Sequence, residues 1–175
     1  MKISYDEIVK FHGHSCPGLA IGYAVTLAGL TALNVERPKD EELVVIVEND
    51  ACGTDAVQYT AGCTFGKGNL IFRDYGKHVY TFADRKTKRS VRITLKKEFR
   101  EYTKDFSRED KIKYILNTNP EVLCNIEEVK IKIPEKAKIF DSAFCAECGE
   151  TVAVPKAVTI DDKIYCKPCI KEDEL

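Results

Sequence analysis

A chain of 175 residues, 44% hydrophobic and 31% charged, can bury one sizeable core with room for a small appendage. A formal net charge of −1 excludes a nucleic-acid binder that works by bulk cationic charge, and equally a polyacidic tail protein. The longest apolar run, residues 19–33, is interrupted by Gly22, Thr26, Gly29 and Thr31 and is short for a membrane span. The N-terminus turns acidic at Asp6 and Glu7, where an export signal would turn apolar, so the expectation is a soluble, cytoplasmic protein without membrane association.

Ser4 with Glu7 three residues later predicts a capping box opening a short helix to about Phe11. His12, Gly13, His14, Ser15 and Cys16 then break the periodicity, and Pro17 suits the first turn of a second helix over about 17–34. Gly18, Ala20, Gly22, Ala24, Ala28 and Gly29 give that helix small faces, which admit another backbone or leave room for a ligand. Leu43, Val44, Val45, Ile46 and Val47 read as a strand buried on both faces. Asn49 or Asp50 is expected to cap a helix from about Cys52 to Ala61, stopped by Gly62.

Residues 69–72 and 78–82 read as two strands of a hairpin closed through Asp74, Tyr75, Gly76 and Lys77. Residues 90–95 alternate, with Val91, Ile93 and Leu95 on one side, as a third strand. Ser107 caps a helix through Ile112, Tyr114, Ile115 and Leu116 that stops near Asn119 and Pro120. Residues 127–133 alternate again and are expected to form a strand. The expected fold class is α+β: a mixed sheet-and-helix domain over residues 1–140, followed by a treble-clef or ribbon-like zinc finger over 141–175.

Eight cysteines stand beside three histidines. A chain this long can build a core without disulfides, so reduced thiols that hold metal are expected instead. Cys145, Cys148, Cys166 and Cys169 form C-x2-C-x17-C-x2-C, the four-thiolate zinc spacing, with Gly149 freeing the turn after the first pair. Residues 152–154 and 159–160 are expected to pair as strands between the two knuckles. Four protein ligands make a closed, structural site. Residues 141–175 hold eight acids and four lysines, a balance that opposes phosphate binding and favours docking or dimerisation.

His12, His14 and Cys16 alternate, so an extended backbone would turn all three to one side. Cys16 precedes a helix, where the dipole favours thiolate, and Cys52 occupies an equivalent place with Asp55 one turn on. Cys52 can therefore face Cys16 across a pocket that holds a second transition metal, with zinc the expected ion. His14, Cys16 and Cys52 are the leading ligands, and His12, Asp55 and Cys63 the weaker candidates. Cys63 lies about 16 Å from Cys52 along a continuous helix, too far for both to hold one ion. Cys124 has no polar companions at ligand spacing and reads as core.

The glycines from Gly62 to Gly68 miss the phosphate-loop spacing, and Gly68 stands where that loop needs a hydroxyl residue. Residues 85–104 carry nine basic and two acidic side chains; a solvated surface is the expected role, with contact to an acidic partner or RNA as the alternative.

FHGHSCPGLAIGYA at 11–24 and NDACGTDAVQYTAGCTFGKGNLIFRDYGKHVYTFADR at 49–85, followed by CAEC and YCKPC, resemble the FmdE family, the E subunits of formylmethanofuran dehydrogenase and their relatives. The resemblance spans most of the chain. It implies an α+β domain that is often dimeric, with a treble-clef-like finger attached. It also implies association with a molybdenum or tungsten formylmethanofuran dehydrogenase, which interconverts carbon dioxide and formylmethanofuran. His14, Cys16, Cys52, Asp55 and Cys63 occupy the positions of that family's metal or active site. The leading expectation is a metal-binding accessory protein. The alternatives are a small metallo- or thiol-dependent enzyme using Cys16 or Cys52 with His14, and a non-catalytic adaptor that docks through the finger. The chain carries no pterin-binding motif and is too short to be the catalytic subunit.

Overall fold

The computed structural model describes residues 3–170, which divide into two compact units, one ending at Ala137 and one beginning at Lys138. In the first unit the capping box forms as the sequence predicts. The Ser4 amide donates to Glu7 Oε2 at 2.8 Å, opening α1 (Tyr5–His12), and Gly13 closes it in the left-handed region at φ +95°. Cys16 is the N-cap of α2 (Pro17–Leu33), a helix apolar on nearly every side and buried accordingly.

The central sheet has the order β2-β1-β3-β4-β5, built from β1 (Leu43–Val47), β2 (Leu70–Phe72), β3 (Val79–Asp84), β4 (Ser90–Leu95) and β5 (Cys124–Glu128). Every residue of β1 is buried, as its unbroken apolar run requires. Val45, Val47, Tyr80, Phe82, Val91 and Ile93 share one core with Ala20, Ala24, Val25 and Ala28 of α2. Each such large side chain contributes about 1.5–3 kcal/mol by leaving water. Around this core lie α3 (Gly53–Ala61), α4 (Lys97–Tyr102), α5 (Arg108–Asn117) and α6 (Pro120–Leu123). Among the described residues, no helix is long and apolar enough to cross a membrane.

Two expected strand arrangements are corrected. β2 and β3 do not form a hairpin, because β1 sits between them, parallel to β2 and antiparallel to β3. The two-sided burial of β1 gives it the central seat, and α3 carries the chain across to the parallel neighbour. The turn at Asp74–Lys77 passes over the carboxyl end of β1 instead: the Arg73 amide reaches Val47 O and the Lys77 amide reaches Glu48 O, both at 2.9 Å. The last strand starts at Cys124 rather than 127 and stops at Glu128. Its partner β4 begins at Ser90, whose carbonyl takes the final bond from Val129, so residues 130–133 have no ladder left to join.

The second unit contains two small hairpins, β6 (Ser142–Phe144) with β7 (Thr151–Ala153) and β8 (Val158–Ile160) with β9 (Lys163–Tyr165). The expected pairing of 152–154 with 159–160 does not form: β8 turns straight back on β9 through the left-handed Asp161 and Asp162, and β7 pairs with β6 across the first cysteine knuckle.

Candidate metal centres

The N-terminal cluster is assembled by the ends of three helices. His12 is the last residue of α1, and the left-handed Gly13 turns the chain so that residues 14–16 run toward α2. Cys16 is extended, at φ −152° and ψ 160°, and its sulfur accepts the Leu19 amide at 3.3 Å. Cys52, the N-cap of α3, makes no side-chain cap bond, which leaves its thiol free to turn to Cys16. Close packing of α2 on α3 brings the two thiols together. A Cβ placed on Gly18 would lie 3.4 Å from Cys52 Cβ and 3.9 Å from Cys16 Sγ.

One ligand atom each from His12, His14, Cys16 and Cys52 lies within 4.8 Å of the others. Tetrahedral zinc with sulfur and nitrogen ligands needs donors about 3.3–3.8 Å apart, so modest side-chain contraction closes the site. The donor state of His12 tests the fit. Its Nδ1 is 2.7 Å from Asp55 Oδ2, while its Nε2 is buried and has no hydrogen-bond partner among the described residues. A buried nitrogen lone pair without a partner is costly unless something fills it. The carboxylate on Nδ1 fixes the tautomer that leaves Nε2 as an acceptor, the usual second layer of a histidine–metal site. His14 lies at the exposed rim, its ring centroid 4.4 Å from that of His12, whereas Cys16 is buried. The Cys52 thiol is held above its ordinary range, first by burial and then by the neighbouring Cys16.

Two residues without any local sequence signal, Tyr5 and Arg108, pin the loop. Tyr5 Oη lies 3.1 Å from Ser15 Oγ and donates to the Cys16 carbonyl at 3.3 Å. Arg108, ninety-three positions away, donates to the Ser15 carbonyl at 2.7 Å. Contacts of such sequence separation leave no periodicity or spacing to read.

Asp55, a candidate ligand from the sequence, is placed behind His12 and contributes no atom to the cluster itself. Cys63 is not brought to the cluster. It is fully buried in the core past the end of α3, donates to the Leu43 carbonyl at 3.4 Å, and burial pushes its thiol up to about 12. Cys124 is likewise core, with its thiol pushed up to about 12 by burial.

In the second unit Cys145, Cys148, Cys166 and Cys169 meet within 4.8 Å, with the sulfurs of Cys148 and Cys166 3.8 Å apart. Gly149, left-handed at φ +74°, donates to the Cys145 carbonyl at 2.9 Å and closes the first knuckle. Backbone amides of Cys148 and Cys166 pull the Cys145 thiol down to about 6, so this turn already stabilises a thiolate. All four donors are sulfur and come from protein, as a structural zinc site requires.

A family model described as FmdE, molybdenum formylmethanofuran dehydrogenase operon, matches residues 11–130. A second, the prokaryotic dksA/traR C4-type zinc finger, matches residues 138–174. A curated relative from Archaeoglobus fulgidus, described as a probable S-adenosyl-L-methionine-binding protein, is 31% identical over 169 residues. The match takes in 81% of this chain but 46% of that protein, so the chain spans about half the length of its curated relative. The crystal structure of a tungsten formylmethanofuran dehydrogenase FmdE-like protein from Syntrophus aciditrophicus superposes with a TM-score of 0.72 at 27% identity, covering 95% of this chain and 92% of that one.

Proposed function

We propose, from the premise that the chain belongs to the FmdE family, that it is a metal-binding accessory protein with two separate metal centres. The C-terminal centre is structural: four thiolates hold zinc and staple a unit that buries little else. The N-terminal centre holds a second transition metal on His12, His14, Cys16 and Cys52. Two thiolates with two imidazoles make a borderline-soft, four-donor set, which suits zinc. In this reading Cys16 and Cys52 supply the negative charge, His12 binds through Nε2, and Asp55 holds the His12 ring and its proton in place. His14, at the exposed rim, marks the side from which a partner or small molecule approaches. Four protein donors close a tetrahedral ion, so the metal would supply a Lewis acid at that rim only where His14 gives up its place to an incoming donor. The same reading makes the protein a homodimer and an accessory of a molybdenum or tungsten oxidoreductase; family membership is the support for both.

The observation that carries the second centre is the unpartnered, buried Nε2 of His12, with Nδ1 already engaged by Asp55. Elemental analysis of protein purified without added metal tests it. Two metal ions per chain are expected, falling to one in a His12→Ala/Cys52→Ala double variant. A single ion per chain that survives this variant but is lost when Cys145 and Cys148 are replaced sinks the N-terminal centre.

A further inference from the structure

The nine cations of residues 85–104 are dispersed by the fold, most of them onto partners. Arg89 pairs with Glu128 at 3.0 Å, Arg92 with Glu48 at 3.7 Å, Lys97 with Glu101 at 3.3 Å and Lys104 with Asp105 at 3.9 Å. Arg85 meets Glu41 and the carbonyls of Pro134 and Glu135. Arg100 differs. Its guanidinium has no ion pair or hydrogen bond among the described residues, and it lines a depression of about 430 Å³ between the start of β3, the end of β4 and α4. Its neighbours three and four positions away along the chain are Lys96, Lys97, Thr103 and Lys104, none of them acidic; of the two acids of α4, Glu101 pairs with Lys97 and Glu98 stands two positions back, off the face of Arg100.

Two further basic side chains line the same depression. Lys77 and His78 stand beside Arg100, neither side chain has a partner among the described residues, and no carboxylate lines the space. The loop that carries them is fixed rather than free. The Lys77 amide donates to the Glu48 carbonyl at 2.9 Å, and Asn49 Nδ2 donates to the Lys77 carbonyl at 2.8 Å. His78 is half-buried, and its imidazole is held below the ordinary range by burial first and by Arg100 second. Basic groups gathered without an acid repel one another, and an anion relieves that repulsion. Thr94 adds a hydroxyl to the lining.

We infer that this depression is an oxyanion site for the phosphate group of a small molecule. Arg100 supplies a planar fork that matches two phosphate oxygens, Lys77 a point charge, and His78 and Thr94 neutral donors. The charge count favours phosphate over a carboxylate, because a dianion balances Arg100 and Lys77 together while a carboxylate leaves one uncompensated. The loop of Lys77 and His78 crosses the carboxyl end of β1, the end of the sheet from which the chain also leaves toward Cys52. Crevices beyond strand carboxyl ends are common ligand positions in sheets of this kind.

Calorimetric titration of the zinc-loaded full chain with inorganic phosphate and with pyrophosphate tests the site, against chloride at matched ionic strength. The His78 ring resonances are followed by NMR in parallel. Saturable binding that shifts His78 is expected. Arg100→Ala and Lys77→Ala should each weaken it by about tenfold or more, since each removes a charge-assisted hydrogen bond to the anion. Lys86→Ala, an exposed cation outside the depression, should leave it unchanged. Absence of saturable binding at millimolar phosphate overturns the inference, as does binding indifferent to Arg100→Ala. Binding of oligonucleotide that phosphate does not displace also overturns it, assigning the cations to nucleic acid.

Discussion

At the scale of single residues, the side chain that decides the N-terminal centre is Asp55, whose carboxylate holds His12 while its amide donates to the Cys52 carbonyl at 3.2 Å. Gln58 Nε2 braces Asp55 Oδ1 at 3.3 Å, and Asp55 Oδ2 in turn holds His12 Nδ1 at 2.7 Å. Removing the carboxylate frees the ring to rotate and to change tautomer, with the remaining donors untouched. Asp55→Ala is therefore expected to weaken the N-terminal metal by about 10–100-fold, the usual cost of losing such a second-layer partner. Competition against a chromophoric chelator measures this, and an unchanged affinity would show that Asp55 does not position His12. Much of this site was legible in the sequence. His12, His14 and Cys16 do converge, and Cys52 does face Cys16. The route differs: a left-handed Gly13 at a helix end replaces an extended strand, which is why alternation reached the right side chains by the wrong geometry. The separation of Asp55 from the cluster was not legible, because it depends on which ring nitrogen of His12 turns inward. Helix length alone argued against Cys63, since a whole helix separates it from Cys52; kept among the weaker candidate ligands, it is core instead.

At the scale of elements, the metal ligands depend on how closely α2 and α3 approach. A Cβ on Gly22 would fall inside the backbone of Gly53, 2.5 Å from its Cα. Backbone cannot yield as a side-chain tip does, so Gly22→Ala must push the start of α3 outward, and Cys52 with it. Such overpacking is expected to cost about 1–3 kcal/mol of stability, read from urea denaturation. It should also lower metal occupancy at the N-terminal cluster while the finger keeps its zinc. A variant of full stability and full metal content would show that the two helices have slack the structure does not display. The small residues of α2 left two readings open in the sequence, a neighbouring backbone or a ligand. At Gly22 the neighbour is backbone, and at Gly29 it is the Phe82 ring, 2.5 Å from where a Cβ would stand. The starts of α1 and α2 and the place of β1 were readable because capping, proline and unbroken apolar runs are local signals; the cap of α3 was not, since Cys52 rather than Asn49 or Asp50 is its N-cap. The order of the strands was not, because a three-residue strand such as Leu70–Phe72 carries no local mark of which neighbour it will take.

At the scale of the whole chain, the two units hold themselves together by different means. The first has a contiguous core that joins five strands to its helices and contains residues as large as Tyr80 and Phe82 fully enclosed. Among the described residues of the second, only Cys145 and Ile170 are buried. A segment below about 40 residues with so little core does not fold on burial alone, and the zinc binding energy is then its folding energy. The turn at Cys145 favours thiolate there, whereas the crowded neighbouring thiols hold Cys148 and Cys169 above their ordinary range, so metal entry must displace protons from the cluster. Exhaustive chelation should therefore divide the chain. Limited proteolysis is expected to cut throughout residues 141–170 once zinc is removed, while a fragment covering the first unit persists and still melts cooperatively. Restoring zinc before protease is added should return protection to the finger. A finger that stays resistant after complete metal removal would mean that its two hairpins are held by something other than the four thiolates. Loss of the first unit along with the finger would make the N-terminal cluster a structural staple too, and its exposed His14 would then no longer mark an approach to a working metal.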